Sequence, residues 1–396
     1  LLRAVHWGER GWERAPFREV RRNERDTRTL TVTLLTQKSC NLGCTYCLNG
    51  AETYEVGAKP SISVEGAIGH IAALRRARPG IEAVAINFFG GEPMLGWKKI
   101  VEIMDWCAVN FAEASFRMTT NMSIMPDTFL VEARRHDLVF EVNIEGPEAI
   151  HDRLRPRLRG GGSFAAITAN LARVLDAGSR VHTRMILTSV NAPHLHETID
   201  LHRNLGSRAS TLTPLRGADS DQREFGTGLY ADPAVVREQI RSLLASRRGG
   251  AVDFHPATEI LDGITTGDRL IQYCGASVAH GPVLDERGDL YNCVWFVGDH
   301  DRRYGRIDPA NGAVSYDLDR EAEFHAAADI EAGRACATCS YRGVCGGPCP
   351  ATRIMGGKDE LFETERRINC AVTKTITDFF MEEIGRGARF EGHRWT

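Results

Sequence analysis

All but one of the 11 cysteines in this 396-residue chain fall into two tight groups, and that clustering constrains the fold more than any other feature. Cys40, Cys44 and Cys47 sit in one short segment, while Cys274, Cys293, Cys336, Cys339, Cys345, Cys349 and Cys370 occupy the last third of the sequence. The Arg-rich start lacks the apolar stretch of an export signal, and in a reducing compartment grouped thiols hold metals or carry redox chemistry rather than structural disulfides. A region this rich in thiols is poorly held without the metal it binds. Cys107 stands apart on the stripe Ile100, Ile103, Met104, Cys107, Phe111, whose spacing marks a buried helix face.

Around these groups the chain reads as an ordinary globular protein, 42% hydrophobic and 26% charged with 15 prolines and no biased tract. A net charge of -3 gives no general pull towards nucleic acid or anionic lipid. No apolar run approaches the roughly 20 residues that span a bilayer, so neither nucleic acid nor membrane is expected as a partner, and a cytoplasmic location is.

Residues 30–215 alternate strand and helix patterns, the mark of a parallel sheet covered by helices. The strands are expected at Leu30–Thr36, Ala83–Phe89, Ser115–Thr119, Phe140–Ile144, Arg180–Leu187 and Ser210–Leu215. Helices are expected at Val64–Arg76, Trp97–Phe111, Phe164–Ala177 and Pro193–Leu205, and beyond them at Pro233–Arg247 and Ala371–Ile384. The fold class is therefore α/β, an incomplete TIM-like (β/α)6 barrel whose chemistry gathers at the carboxyl ends of its strands. The chain divides into an N-terminal arm (1–29), the barrel (30–215), a linker and helical bridge (216–270), a loop-dominated Cys-rich domain (271–375) and a C-terminal helix and tail (376–396).

The segment Cys40-Asn-Leu-Gly-Cys44-Thr-Tyr-Cys47 follows the first strand and places three thiolates in one loop, with Gly43 easing the backbone. Three sulfurs can hold three irons of a cubane and leave the fourth open to a small chelating ligand. Zinc suits sulfur ligands as well, but it normally closes with a fourth protein ligand, and none is evident near this loop. Gly90-Gly91-Glu92-Pro93 ends the second strand. Ile144-Glu-Gly-Pro147 ends a later one and runs on to His151-Asp-Arg-Leu-Arg155.

The C-x3-C-x2-C spacing and the GGEP segment resemble the radical S-adenosylmethionine (SAM) superfamily, and the stretch through His151 resembles the "DGP...HDxxR" segment of its peptide-modifying members, with Glu145 in place of the usual aspartate. The resemblance implies that Cys40, Cys44 and Cys47 hold the SAM-cleaving cluster. It implies that Gly90, Gly91, Glu92 and Pro93 receive the methionine amino group and that Arg155 grips the methionine carboxylate. Tyr46, Thr119, Asn121, Asn143, Glu145 and Leu187 complete the expected SAM contacts. Arg157 and Arg159 read as solvated charge.

The second group runs Cys274, thirteen residues, Gly288, four residues, Cys293, then C-x2-C-x5-C-x3-C from Cys336 to Cys349, and Cys370. It resembles the SPASM domain at every spacing. By that resemblance Cys336, Cys339, Cys345 and Cys370 hold one auxiliary cluster, and Cys274, Cys293 and Cys349 hold another. The second set lacks one ligand, and His280 or an open position fills it. Glu286-Arg-Gly-Asp-Leu reads as a hairpin turn that delivers Cys293.

Three [4Fe-4S] clusters and SAM are thus the implied cofactors, with a reductant such as flavodoxin or ferredoxin. Reductive cleavage of SAM gives a 5'-deoxyadenosyl radical, which takes hydrogen from an unactivated C–H bond. Most SPASM members act on ribosomally made peptides, and peptide cross-linking, through a C–C or thioether bond, is the expected activity. Only 39 residues precede Cys40, too few for the winged-helix peptide-recognition domain of some relatives, so a separate protein or the barrel itself is expected to recognise the precursor. Formylglycine formation, as in anaerobic sulfatase maturases, ranks second because Val294 stands where those relatives carry an aspartate base. A non-enzymatic iron-sulfur or zinc protein ranks third.

Overall fold

The computed structural model describes residues 18–20, 28–47, 61–216, 226–270, 274, 281–330, 334–355 and 359–395. Of the N-terminal arm it describes β1 (Arg18–Val20), which pairs in parallel with β9 (Asp268–Leu270), and the residues from Arg28 onward.

The six expected strands are present with ends within two residues of their predicted positions: β2 (Thr29–Gln37), β3 (Ala83–Gly90), β4 (Glu113–Thr120), β5 (Val139–Asn143), β6 (Arg180–Leu187) and β7 (Ala209–Pro214). They pair in sequence order and in parallel, and β8 (Phe254–His255) extends the row past β7. The sheet is an α/β sheet with two open edges.

Side chains alternate across it as a pleat requires. Along β6, Val181, Met185 and Leu187 are fully buried in the outer layer, whereas Arg184 and Ile186 face an inner cavity. Residues from the ends of β3 through β7 line that one cavity. At about 4.8 Å per strand, a flat sheet would set the first and last of these roughly 19 Å apart, so the sheet must curl.

The outer face is covered by α1 (Val64–Ala77), α2 (Trp97–Asn110), α3 (Asp127–Arg135), α4 (Glu148–Leu154), α5 (Phe164–Asp176) and α6 (Leu195–Asn204). Ser63 accepts from the Gly66 N–H at 3.0 Å and so starts α1. Ile100, Ile103, Met104 and Cys107 are each fully buried on α2, in agreement with the stripe in the sequence. α3 and α4 are absent from the expectations because each is too short to show a clear helical period.

The larger departures lie beyond residue 216. After α7 (Pro233–Ser246) and α8 (Ala257–Thr266), the Cys-rich unit builds β10 (Val283–Leu284), β11 (Asp289–Tyr291), β12 (Gly305–Ile307) and β13 (Val314–Tyr316). β10 pairs in parallel with β2, and β11 to β13 follow as an antiparallel meander, so one sheet of 11 strands joins the barrel to the Cys-rich unit. Gly288, at φ +79, closes the β10–β11 hairpin, while Asp285 Oδ1 accepts from the Arg287 and Asp289 N–H groups at 3.0 and 2.9 Å.

Helices α9 (Leu318–Ala328), α10 (Arg334–Ala337), α11 (Arg342–Cys345) and α12 (Pro350–Met355) fill stretches expected to be loop. α13 runs Asp359–Gly385, a dozen residues earlier than the expected start at Ala371. Ile368, Val372, Ile376, Phe379 and Phe380 of α13 are buried together with the apolar faces of α7 and α8. Each such side chain contributes about 1.5–3 kcal/mol.

Candidate metal and cofactor site

The loop of Cys40, Cys44 and Cys47 leaves β2 and is held by the segment after α4. Gly43 N–H donates to Pro156 O at 2.8 Å and Thr45 N–H to Leu154 O at 2.9 Å, and Leu42 bridges to Arg157. The His151-to-Arg155 stretch therefore braces the cysteine loop. His151 accepts from the Glu145 N–H at 3.3 Å, and Asp152 Oδ1 accepts from Ser163 and Phe164 N–H groups at the start of α5.

The Gly-Gly-Glu-Pro turn grips the same loop from the other side. A Cβ on Gly90, at φ +143, would lie 2.1 Å from Gln37 O, and one on Gly91 would lie 2.4 Å from Ser39 O. These glycines let two backbones touch, with Gly91 N–H on Gln37 O at 2.7 Å and Glu92 N–H on Ser39 O at 2.9 Å. Glu92 is fully buried and accepts from Met94 N–H (2.9 Å), Thr120 Oγ1 (2.6 Å) and Asn121 N–H (2.7 Å). Burial raises its pKa, and those donors oppose the shift.

A second buried network sits across the cavity. Tyr46 donates to Glu145 Oε1, Arg155 Nη1 donates to the Tyr46 oxygen at 2.8 Å, and Asn143 Nδ2 donates to Glu145 at 3.1 Å. The other Glu145 oxygen accepts from the Ile186 N–H at 2.7 Å. Desolvation pushes the Glu145 pKa up while Arg155 pulls it down. Asn121 Nδ2 reaches Asn41 Oδ1 at 2.8 Å and Cys40 Sγ at 3.8 Å.

Cys40, Cys44 and Cys47 line a cavity of about 290 Å3 together with Tyr46, Gly90, Gly91, Thr119, Asn121, Asn143 and Arg155 from the expected set. Four expected contacts do not line it. Glu92 and Pro93 turn inward beneath the turn they form, Glu145 lies behind Tyr46 and Asn143, and Leu187 falls on the outer face of β6, where the pleat exposes Ile186 to the cavity instead. Sequence reading missed Arg184, Thr213, Arg216 and Trp295, which also line it, as does Val294, expected where relatives carry an aspartate base. Period-two alternation on β6 and β7 was the signal for Arg184 and Thr213, whereas Val294 and Trp295 arrive only through the β10 pairing.

Burial pushes the Cys40 thiol up to about 11 and the Cys44 thiol up to about 12, so thiolates there need a cationic partner. No other Cys, His, Asp or Glu lines the cavity among the described residues. Nor do any three cysteine sulfurs among them lie within 4.8 Å of one another, as ligands of a single ion would. Around one tetrahedral zinc, sulfurs sit about 3.8 Å apart. Three sulfurs with no fourth protein ligand on the lining among the described residues fit a multi-iron cluster with an open corner.

The remaining cysteines gather as two sets. Cys293 interacts with Cys349 and Cys274, and burial pushes its thiol up to about 12. Cys345 interacts with Cys370 and Cys336, and Cys370 also with Cys339, which donates its N–H to Cys336 O at 3.0 Å. Asn369 Nδ2 lies 3.7 Å from Cys345 Sγ and Arg366 Nη1 lies 4.0 Å from Cys370 Sγ. His280 lies outside the described residues.

A family model described as "Radical SAM superfamily" matches residues 34–202. A serine-type anaerobic sulfatase-maturating enzyme of Klebsiella aerogenes is 25% identical over 333 residues, 82% of this chain and 80% of the relative. The structure of native anSMEcpe with bound AdoMet aligns with a TM-score of 0.71 at 16% identity, covering 90% of this chain and 99% of that one. Streptococcus suis SuiB bound to precursor peptide SuiA aligns at 0.57 and 13%, covering 84% and 74%. These structures share the fold. The family match spans the cysteine loop, the Gly-Gly-Glu-Pro turn and the buried Tyr46–Glu145–Arg155 network, so residues 34–202 form a domain that matches the radical SAM superfamily.

Proposed function

We propose that the chain is a SPASM-type radical SAM maturase that cleaves SAM and takes hydrogen from a C–H bond of a ribosomally made peptide, leading to a C–C or thioether cross-link. The observation that carries this reading is the set of three cysteine sulfurs on one wall of a cavity ringed by strand ends and closed on another side by Val294 and Trp295 from the Cys-rich unit.

Cys40, Cys44 and Cys47 would hold the first cluster. Bound there, it supplies one electron to the SAM sulfonium and so the radical that attacks the substrate. Gly90 and Gly91 keep the turn low enough for SAM to enter, and Thr119, Asn121 and Asn143 offer hydrogen bonds along the same wall. Arg155, held by Tyr46, presents positive charge to a carboxylate. The Cys-rich unit shields the cavity from water and competing reductants. Its two cysteine sets would hold two auxiliary clusters, the 3-cysteine set taking up the electron that a net oxidation leaves behind. A ferredoxin or flavodoxin would supply the reducing electron.

Formylglycine formation on a sulfatase is the second reading, favoured by the 25% identity to sulfatase-maturating enzymes. It needs a base at the substrate carbon. No carboxylate lines the cavity among the described residues, and the nearby Asp299 is exposed and caps the turn His300–Arg302. Anaerobic incubation of the reconstituted enzyme with SAM, dithionite and the short peptide encoded beside its gene tests both. Loss of paired hydrogens without reaction with a hydrazide supports cross-linking. A hydrazide-reactive carbonyl supports formylglycine. SAM cleavage with an untouched peptide removes the peptide reading.

A further inference from the structure

The charges around the cavity are one-sided. Arg155, Arg184 and Arg216 line it, and no Asp, Glu, His or Lys does so among the described residues. Arg155 belongs to the cysteine-loop end, where it interacts with Cys44 and bonds to the Tyr46 hydroxyl. Arg216, beyond the last residue of β7, interacts with Cys293, and Val294 and Trp295, which follow Cys293 in the chain, line the same cavity. Arg184 comes from β6, paired in register with Asn143. Its nearest carboxylate, Glu141, lies 3.7 Å away and is held more closely by Arg117 at 2.6 Å. Two guanidinium groups therefore share one already engaged carboxylate.

We propose that the wall formed by Arg184, Arg216 and Trp295 is a recognition site for an acidic peptide segment, one that carries a carboxylate side chain close to the carbon that loses hydrogen. The inference rests on the peptide reading and narrows its substrate class. A guanidinium pair in a partly enclosed site binds carboxylates through planar forked hydrogen bonds and rejects Lys or Arg at the same position by like-charge repulsion. The Trp295 ring offers a flat apolar face beside them for the rest of the segment.

Two fluorescein-labelled octapeptides, identical except that one carries Asp and Glu where the other carries Asn and Gln, test this on the anaerobically reconstituted full chain with SAM bound. Fluorescence anisotropy should show the acidic peptide bound about tenfold more tightly at low ionic strength, with the preference shrinking as salt is added. Arg216→Gln and Arg184→Gln should each remove most of the preference, and Arg184→Lys should retain part of it, in protein whose iron content matches the parent. Equal affinity for the two peptides overturns the acidic site and leaves the peptide reading standing. Binding of neither peptide overturns both. Preference intact in the two Gln variants, with weakened SAM binding instead, also overturns the site and reassigns these arginines to SAM.

Discussion

The Tyr46 hydroxyl donates to the Glu145 carboxylate, joining the cysteine loop to the turn after β5. Arg155 caps the pair from the segment that braces the loop, so three chain segments meet in one buried network. Glu145 spans this distance, reaching Tyr46 with one oxygen and the Ile186 N–H with the other.

Tyr46→Phe removes two hydrogen bonds, one to Glu145 and one from Arg155, and should cost about 1–3 kcal/mol, whereas Glu145→Gln leaves Arg155 buried without its counter-charge and should cost about 3–5 kcal/mol. Denaturant unfolding under anaerobic conditions reads the difference. Equal losses for the two variants would contradict a charge held in place by Glu145.

The cysteine sets make separable predictions. Replacing Cys40, Cys44 and Cys47 together by Ala should abolish SAM cleavage and remove about four irons per chain. Cys339→Ala should lower iron while leaving uncoupled SAM cleavage at least partly intact. Iron and acid-labile sulfide assays with anaerobic SAM cleavage check both. Zinc in place of iron and sulfide in oxygen-protected protein would sink the cluster assignment altogether.

Much of this was legible in the residues themselves. The six barrel strands stood out as short apolar runs, four of them followed by a stretch of helical period, and the resemblance to the SPASM pattern grouped Cys336, Cys339, Cys345 and Cys370. What escaped was anything set by pairing between distant segments. Val283–Leu284 is a two-residue strand with no period of its own, yet its pairing with Thr33 and Leu34 brings Val294 and Trp295 to the cavity. Leu187 and Ile186 differ by one residue, and only the register of β6 decides which of them faces inward. Glu92 sits inside a recognised motif, but its burial under Thr120 and Asn121 depends on β4 lying beside β3.

Two buried histidines give the chain an acid-sensitive stability. Burial pushes His151 down to about 3 and His202 down to about 4. Both are neutral in the fold and take up protons on unfolding near pH 6.5, the usual histidine value. Their stabilising effect is therefore full above about pH 6.5 and is lost as pH falls from there towards 4, by about 1.4 kcal/mol per pH unit for each. Glu92 and Glu145, raised by burial, act in the opposite sense, losing stability as pH rises above the carboxylate range. The difference between the parent and His202→Gln isolates one imidazole. Anaerobic melting temperatures between about pH 7.5 and 5.5 should fall less steeply in the variant, and parallel curves would show that His202 does not titrate on unfolding.

Glu92 separates a structural role from ligand contact. Its carboxylate is fully buried, accepts three hydrogen bonds, and does not line the cavity among the described residues. Glu92→Gln puts an NH2 group against donors that need an acceptor, and should cost about 2–4 kcal/mol. Because Asn121 and the Gly90–Gly91 turn are fixed through Glu92, SAM affinity should fall only as far as those backbones shift. Thr120→Ala, which removes one of the same hydrogen bonds and the one from the Met122 N–H while leaving the Glu92 carboxylate in place, should then weaken SAM in proportion to its stability loss. If Glu92→Gln instead abolished SAM binding with unfolding free energy unchanged, and Thr120→Ala left SAM binding alone, the carboxylate would have to reach the ligand itself. Equilibrium dialysis of SAM beside anaerobic urea unfolding, run on both variants, decides between them.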